Sequence, residues 1–394
     1  MSNAGDGVAL AAGPLLVASQ TRDPVLVSMA VLSSWLPNLL FSLPAGAVAD
    51  RMDRRRVIIA VNLLRAAVLA ALAFTIVSGT VNIALVLAAL FTLGTAETFA
   101  DVASSSLLPR LVPRADLGIA NSRMQGSFLL TNQLLTPPIG AFLFVVGMAL
   151  PFGANAAAFV LGALLVSRVV LTARPDSDEE PSPRKHIVAD MVDGFRWLLA
   201  HPPMRTLALT IFAFNVTFGA AWSVLVLYAQ DRLGMDAVGY GLVTTAIAVG
   251  GLIGVVTYGR LERRFSLANI MRVGLLIETF THLALALTTS QQVALAVLVV
   301  FGAHAFIWGT TSMTIRQRAV PAALMGRVGS VNLLGVYGGL VVGAGIGGLL
   351  AQRYGLTAPF WFAFVGSAVF VVLIWRQLRH IAHTDEQPAP APAG

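Results

Sequence analysis

Six ionisable residues lie inside apolar stretches of this chain: Asp6, Glu97, Asp101, Glu278, His282 and His304. Burying a charge in hydrocarbon costs about 2.5–3.5 kcal/mol on the insertion scale, so such residues mark ion or substrate paths by default. Glu97 and Asp101 stand one helical turn apart on one face. Two carboxylates so close compete for neutralisation, and a shared proton suits a proton carrier. Alternatively, Asp101 pairs with a loop arginine such as Arg123 in a structural network. Glu278 and His282 have the same i,i+4 spacing, and form either a proton-coupling pair or a bridge that neutralises itself. His304 is either a proton site or a neutral histidine bonded to a backbone carbonyl. Asp6, Asn132, Gln133 and His304 are the candidates for lining a substrate cavity. Arg65, two turns into an apolar run, has a stem long enough to snorkel inward and is given no role.

The composition says what must position these residues. The 394 residues are 57% hydrophobic and 11% charged, with mean hydropathy +0.79, whereas soluble proteins carry about 25% charge. The net charge of +7 comes mostly from arginines placed between apolar runs. That pattern is orientation in a membrane, with anionic lipid as the partner and no nucleic acid. The absence of cysteine excludes disulfides, thiol catalysis and Cys-ligated metals. No metal-ligand spacing, cofactor motif, H-E-x-x-H or G-x-S-x-G is present, so an enzyme is not expected. No basic n-region of a cleavable signal peptide is seen.

Twelve apolar segments are expected, at roughly 4–20, 25–49, 57–78, 82–107, 119–147, 151–172, 204–229, 238–259, 267–288, 292–315, 326–351 and 356–376. Turns after segments 2, 4, 6, 8 and 10 are loaded with arginine, and of 26 Lys and Arg only Arg22, Arg232 and Arg353 fall in turns on the opposite side. The positive-inside rule then puts both termini in the cytoplasm of a multi-pass inner-membrane protein. Glu97, ten residues from the inner end of segment 4, is about 15 Å deep at 1.5 Å per residue. Segment 1 barely spans a core of about 30 Å, so the true start is expected upstream, or else the cytoplasmic half of this helix is lost.

The chain reads as two copies. Val112-Pro113 recurs as Val320-Pro321 and Gly140 as Gly348, both at an offset of 208 residues. The expected organisation is a six-helix bundle at 1–172, a cytoplasmic linker at 173–203, a second bundle at 204–380 and a disordered tail at 381–394. The linker carries an acidic, proline-rich run and then an amphipathic helix at 186–200 lying on the inner membrane face. A monomer is expected.

Segment 2 ends at Gly46-Ala-Val-Ala-Asp50-Arg51-Met-Asp-Arg54-Arg55. Its G-x-x-x-D-R-x-x-R-R spacing resembles the signature loop of major facilitator superfamily transporters. Met52 and Asp53 stand where that family has an aromatic residue and a glycine. The resemblance implies a cytoplasmic gate: Asp50 near the start of segment 11, about Arg327–Val331, where a helix N-terminus carries positive charge. Arg51, Arg54 and Arg55 would tie segments 2 and 3 to neighbouring acids when the inner side is closed. Leu135-Thr-Pro137-Pro-Ile-Gly140 is similar to the G-P-x-x-G-G element of proton-linked drug exporters. Pro137 and Gly140 would kink the helix and admit a close neighbour.

Residues 94–97 with 108–113, and 195–205, resemble the branch containing macrolide efflux pumps and the enterobactin exporter. The resemblance implies an all-α polytopic membrane protein with twelve transmembrane helices in two pseudo-symmetric six-helix bundles. It further implies export of an amphipathic small molecule (a drug, antibiotic or siderophore-like compound) against proton entry, by alternating access around a site between the bundles. With no ATP-binding motif, an ion gradient supplies the energy. A nutrient importer of the same fold and a transport-inactive scaffold remain open.

Overall fold

Apolar runs of this length leave backbone polar groups without water, and a helix satisfies them internally. The computed structural model describes residues 2–111, 123–124, 126–168, 187–321 and 324–378. The first half comprises α1 (Ser2–Gln20), α2 (Pro24–Arg51), α3 (Arg54–Val77), α4 (Ile83–Leu111), α5 (Thr136–Val146) and α6 (Leu150–Arg168). A linker helix follows, α7 (Ile187–Ala200). The second half comprises α8 (Pro202–Trp222), α9 (Ala237–Arg264), α10 (Leu267–Leu287), α11 (Gln291–Ala319), α12 (Met325–Tyr354) and α13 (Ala358–Ile374). Among the described residues, nine helices are long and apolar enough to cross a membrane. With α1 and the shorter helices around α5 and α13, they make the twelve spans.

Short polar turns stop one helix and cap the next. The carboxylates of Asp23, Asp53 and Asp236 accept from the first free backbone N–H groups of α2, α3 and α9, and the hydroxyls of Ser266 and Ser290 do so for α10 and α11. Asp53 therefore does work in this chain that a glycine could not: it starts α3 one residue after the arginine-rich turn begins.

Two spans are irregular, the fifth where Pro137 is expected to kink it and the seventh without such a signal. Pro137 and Pro138 lack an N–H and sit in the first turn of α5, where none is needed. The eight residues before α5, Phe128–Leu135, wind as a π-helix. Segment 7 stops at Trp222 and resumes as a single turn, Leu225–Leu227, followed by a second π-helical run, Tyr228–Arg232.

The packing is that of two bundles built alike. α1 packs on α5 and α6, α2 on α4, and α3 on α4 and α6. Seven helices later the pattern repeats: α8 on α12 and α13, α9 on α11, and α10 on α11 and α13. The bundles meet through α2 against α12 and α5 against α9, which are equivalent pairs.

The two faces of the molecule differ. Towards the arginine-poor turns, one apolar core runs through both bundles, joining Leu16, Val27 and Phe152 to Val226, Tyr240 and Phe360. Towards the arginine-rich turns the cores are separate: one of Met271, Ile315 and Val328 in the second half, and a small one of Val57, Ile58 and Ala103 in the first. Among the described residues, the apolar core is thus continuous across the bundles at one face and divided at the other. α7 belongs to the divided face, but it does not simply rest on a membrane surface. It packs against the start of α12, with Asp193 3.3 Å from Arg327 and Leu198 buried in the second-half core.

Candidate functional site: a charged cavity between the bundles

A cavity of about 700 Å³ lies between the bundles. Its wall is largely apolar and aromatic, with Trp35, Phe159, Phe218, Trp222, Tyr240 and Tyr337 on it, and Asp6, Arg65, Glu97, Asn132, Gln133 and Asn155 among its polar groups. Few convergent polar groups on an apolar wall are what a small-molecule site requires.

Arg65 of α3 organises the charges. Its side chain is almost fully buried, its guanidinium lies over the Phe159 ring at 4.1 Å, and it forms a direct salt bridge with Asp6 of α1. Glu97 of α4 stands 3.9 Å from the same nitrogen. Asp101, one turn along α4, interacts electrostatically with both Glu97 and Arg65. Three carboxylates thus surround one cation. Glu97 and Asp101 are open to solvent, so the negative charge beyond Arg65 is available to a ligand entering the cavity.

Arg65 was legible as a charge and misread as a snorkelling one. It lies eleven residues beyond Arg54 at the start of α3, about 16 Å along the helix, too deep for its stem to reach the surface. The depth count applied to Glu97 would have found it. Nothing in the local spacing names Asp6 as its partner, because α1 and α3 are brought together only by the bundle.

Asn132 sits in the π-helical run and donates to the Asn3 carbonyl at 3.3 Å; Gln133 is on the cavity wall beside it. The Asn155 side-chain oxygen is buried with no hydrogen-bond partner among the described residues. Gly140 faces Val8: a Cβ there would collide with the Val8 backbone, so α1 and α5 touch main chain to main chain.

The second-half residues assemble differently from the expected i,i+4 pair. Glu278 reaches across to α11 and meets His304 Nε2 at 3.3 Å. His282 is fully buried, and neither ring nitrogen has a hydrogen-bond partner among the described residues. His304 is therefore off the cavity wall, and its partner is a carboxylate, not a backbone carbonyl. Gly274 makes the pairing possible, since a Cβ there would lie 2.9 Å from the His304 ring.

At the arginine-rich turn, Arg55 donates to the Val166 carbonyl at 3.1 Å and to that of Ser167. A cation there satisfies the C-terminal end of α6. A Cβ at Gly46 would meet no atom of the described residues within 4 Å. The side chains of Asp50 and Arg51 lie outside the described residues.

The family described as transmembrane secretion effector matches residues 1–391. The chain belongs to that family of major facilitator superfamily transporters. It is 29% identical over 375 residues to the multidrug efflux pump Tap of Mycolicibacterium fortuitum, covering 91% of this chain and 88% of that one. It is 27% identical over 402 residues to the enterobactin exporter EntS of Escherichia coli K12, covering 92% and 89%. Solved structures show the same fold. A bacterial homologue of the iron transporter ferroportin in an inward-facing state matches with a TM-score of 0.74 at 18% identity, covering 96% of each chain. The inward-open xylose transporter XylE of E. coli matches with a TM-score of 0.70 at 14% identity, covering 95% of this chain and 94% of that one. Membership of this transporter family gives the cavity its place: it is where a transported molecule would sit between the two bundles.

Proposed function

We propose that this transporter exports an amphipathic small molecule from the cytoplasm against proton entry. The Asp6–Arg65–Glu97 cluster is the coupling centre in this reading, with Asp101 as a relay towards the arginine-rich face. The observation that carries it is the surplus of carboxylates around Arg65 on the wall of the cavity. A proton and a substrate bound on the same wall compete for that surplus, which is how one flux drives the other. The names of the two relatives, an efflux pump and an exporter, support the direction.

The arginine-rich face is assigned to the cytoplasm, with both termini there, on the positive-inside rule. The conformation described above is then inward-facing: sealed outside, parted inside. The protein acts as a monomer in this reading.

The test is accumulation of fluorescent amphipathic dyes in cells with and without the protein, repeated after the proton gradient is collapsed. Expression should lower accumulation, and collapse should abolish the difference. Glu97→Gln should abolish gradient-driven movement yet spare substrate exchange, which needs no net proton flow. Normal gradient-driven pumping by Glu97→Gln would move the coupling centre elsewhere.

A further inference from the structure

The turn between α9 and α10 repeats, in altered form, the arginine-rich turn between α2 and α3. Gly259 stands 213 residues after Gly46, and at that offset Arg264 matches Arg51 while Arg263 replaces the acid Asp50. The two copies also use their arginines differently. In the first, Arg55 is bound to the carbonyls that end α6. In the second, Arg260, Arg263 and Arg264 form no ion pair or hydrogen bond among the described residues. The carboxylate between them, Glu262, turns instead to Arg318 of α11 at 3.5 Å. All three arginines are exposed at the end of α9, and together they line one open hollow of about 340 Å³.

As it stands, this arrangement is unfavourable. Arg263 and Arg264 follow Arg260 by three and four residues, the spacings at which like charges on a helix meet and repel. The carbonyls at the end of α9 offset part of that repulsion. An anion held in the hollow would turn repulsion into attraction, and guanidinium groups grip a phosphate through paired N–H donors. Orienting a chain in the membrane needs positive charge in the turn. It does not need three guanidinium groups about one hollow.

The face of α9 leading to the hollow says which anion fits. Val249, Ile253, Val256 and Arg260 follow one another at steps of four, three and four, so they form a single stripe that ends in the arginines. The three apolar members are 38%, 46% and 69% exposed, and none is on the wall of the central cavity. With 28 residues, α9 is about 42 Å long, so the stripe runs through hydrocarbon and the arginines stand at headgroup level. A soluble phosphate would use the hollow alone, whereas a phospholipid uses the hollow and the stripe.

We propose that Arg260, Arg263 and Arg264 form a binding site for one anionic phospholipid, with its phosphate in the hollow and an acyl chain along Val256, Ile253 and Val249. The site is separate from the transport cavity and does not depend on what that cavity carries.

The test needs no transport. The chain has no cysteine, so Ile253→Cys can carry a single fluorophore after reconstitution in phosphatidylcholine vesicles. Part of the lipid is replaced by brominated phosphatidylglycerol or, in parallel, by brominated phosphatidylcholine with the same chains. Bromine quenches at close contact, so the ratio of quenching reads which lipid occupies the stripe. Phosphatidylglycerol should be preferred by roughly fivefold or more. Changing Arg260, Arg263 and Arg264 together to Gln should abolish the preference; should that variant elute as aggregate, Arg260→Gln alone should lower it by half or more. Neutralising the exposed Arg56, Arg196 and Arg205 instead removes the same charge and should leave the preference intact. An excess of soluble glycerol 3-phosphate should not disturb it. The site would be overturned by equal quenching from the two lipids, or by a preference that survives loss of the three arginines or, in their place, of Arg260. A preference lost with the other three arginines would reduce it to net charge, and one competed away by glycerol 3-phosphate would make it a site for soluble phosphate; either result overturns the lipid site.

Discussion

Arg22, in the turn between α1 and α2, reaches Asp231 of the opposite bundle at 3.3 Å and gives a second hydrogen bond to Gln230 at 2.7 Å. Arg22 breaks the positive-inside pattern, and this contact supplies a reason for its place: it clasps the two bundles at the closed face. Both side chains are about half exposed, so the pair is worth only about 0.2–1 kcal/mol. Arg22→Ala should therefore leave the unfolding midpoint almost unchanged, yet shift the balance between closed and open faces by about fivefold or less. The chain has no cysteine, so spin labels at Thr80→Cys and Gln291→Cys can report the distance directly. An unchanged distance distribution would count against the clasp.

Arg65 should be the most damaging single charge to remove. Arg65→Met leaves the largely covered Asp6 carboxylate without its partner, while Glu97 and Asp101 keep access to water; the loss should fall below the about 3–5 kcal/mol of a fully buried pair. Arg65→Lys should cost less but lose the flat stacking on Phe159. Adding Asp6→Asn to Arg65→Met should recover part of the loss, because the stranded charge goes with it. Thermal unfolding in detergent checks all three; a double variant no better than Arg65→Met would refute the pairing.

Gly140 and Gly46 should answer the same substitution in opposite ways. Gly140→Ala pushes a Cβ into the Val8 backbone, and overpacking of this kind costs about 1–3 kcal/mol. Gly46→Ala meets none of the described residues and removes a flexible residue from a helix, a gain of about 0.4–1 kcal/mol. Unfolding midpoints measure both. If Gly46 is approached closely when the parted face shuts, its variant should be stable and slow.

Gly194→Val should lift α7 off α12, since the added Cβ would lie 2.8 Å from the Arg327 backbone. Limited proteolysis of the linker should then be faster than in the parent. Equal cleavage rates would mean that the contact carries no weight.

Labelling fixes the orientation. Gly79→Cys and Gln291→Cys should react with an impermeant maleimide added to intact cells, and Phe265→Cys only after lysis. The reverse result would turn the protein over in the membrane.

The sequence announces lengths and spacings, and these carried the twelve spans, the repeat and the place of the arginine-rich turns. Asp6, Asn132 and Gln133 could be singled out as polar groups in apolar runs. Their convergence on one cavity could not, because it depends on which helices the bundle brings together. Glu278 shows the limit sharply. Periodicity offers partners on the same helix, so it suggested His282; the bundle instead presented His304 from α11, through the space that Gly274 leaves. The depth of Arg65 is legible in the sequence, eleven residues beyond the start of α3, whereas its partner Asp6 is not. The break after Trp222 had no local signal, since Ser223 and Val224 are neither proline nor glycine.

The single apolar seam at the closed face has a thermodynamic consequence. To open that face, the protein must dissolve the contacts of Leu16, Val27 and Phe152 with Val226, Tyr240 and Phe360 and knit a comparable seam at the other end. Exposing apolar surface to water raises heat capacity and covering it lowers it. If the two seams are matched, these changes cancel, and the balance between the two conformations hardly drifts with temperature. A transporter built so would keep its switching point in warm and cold surroundings alike, although each seam taken alone weakens on cooling.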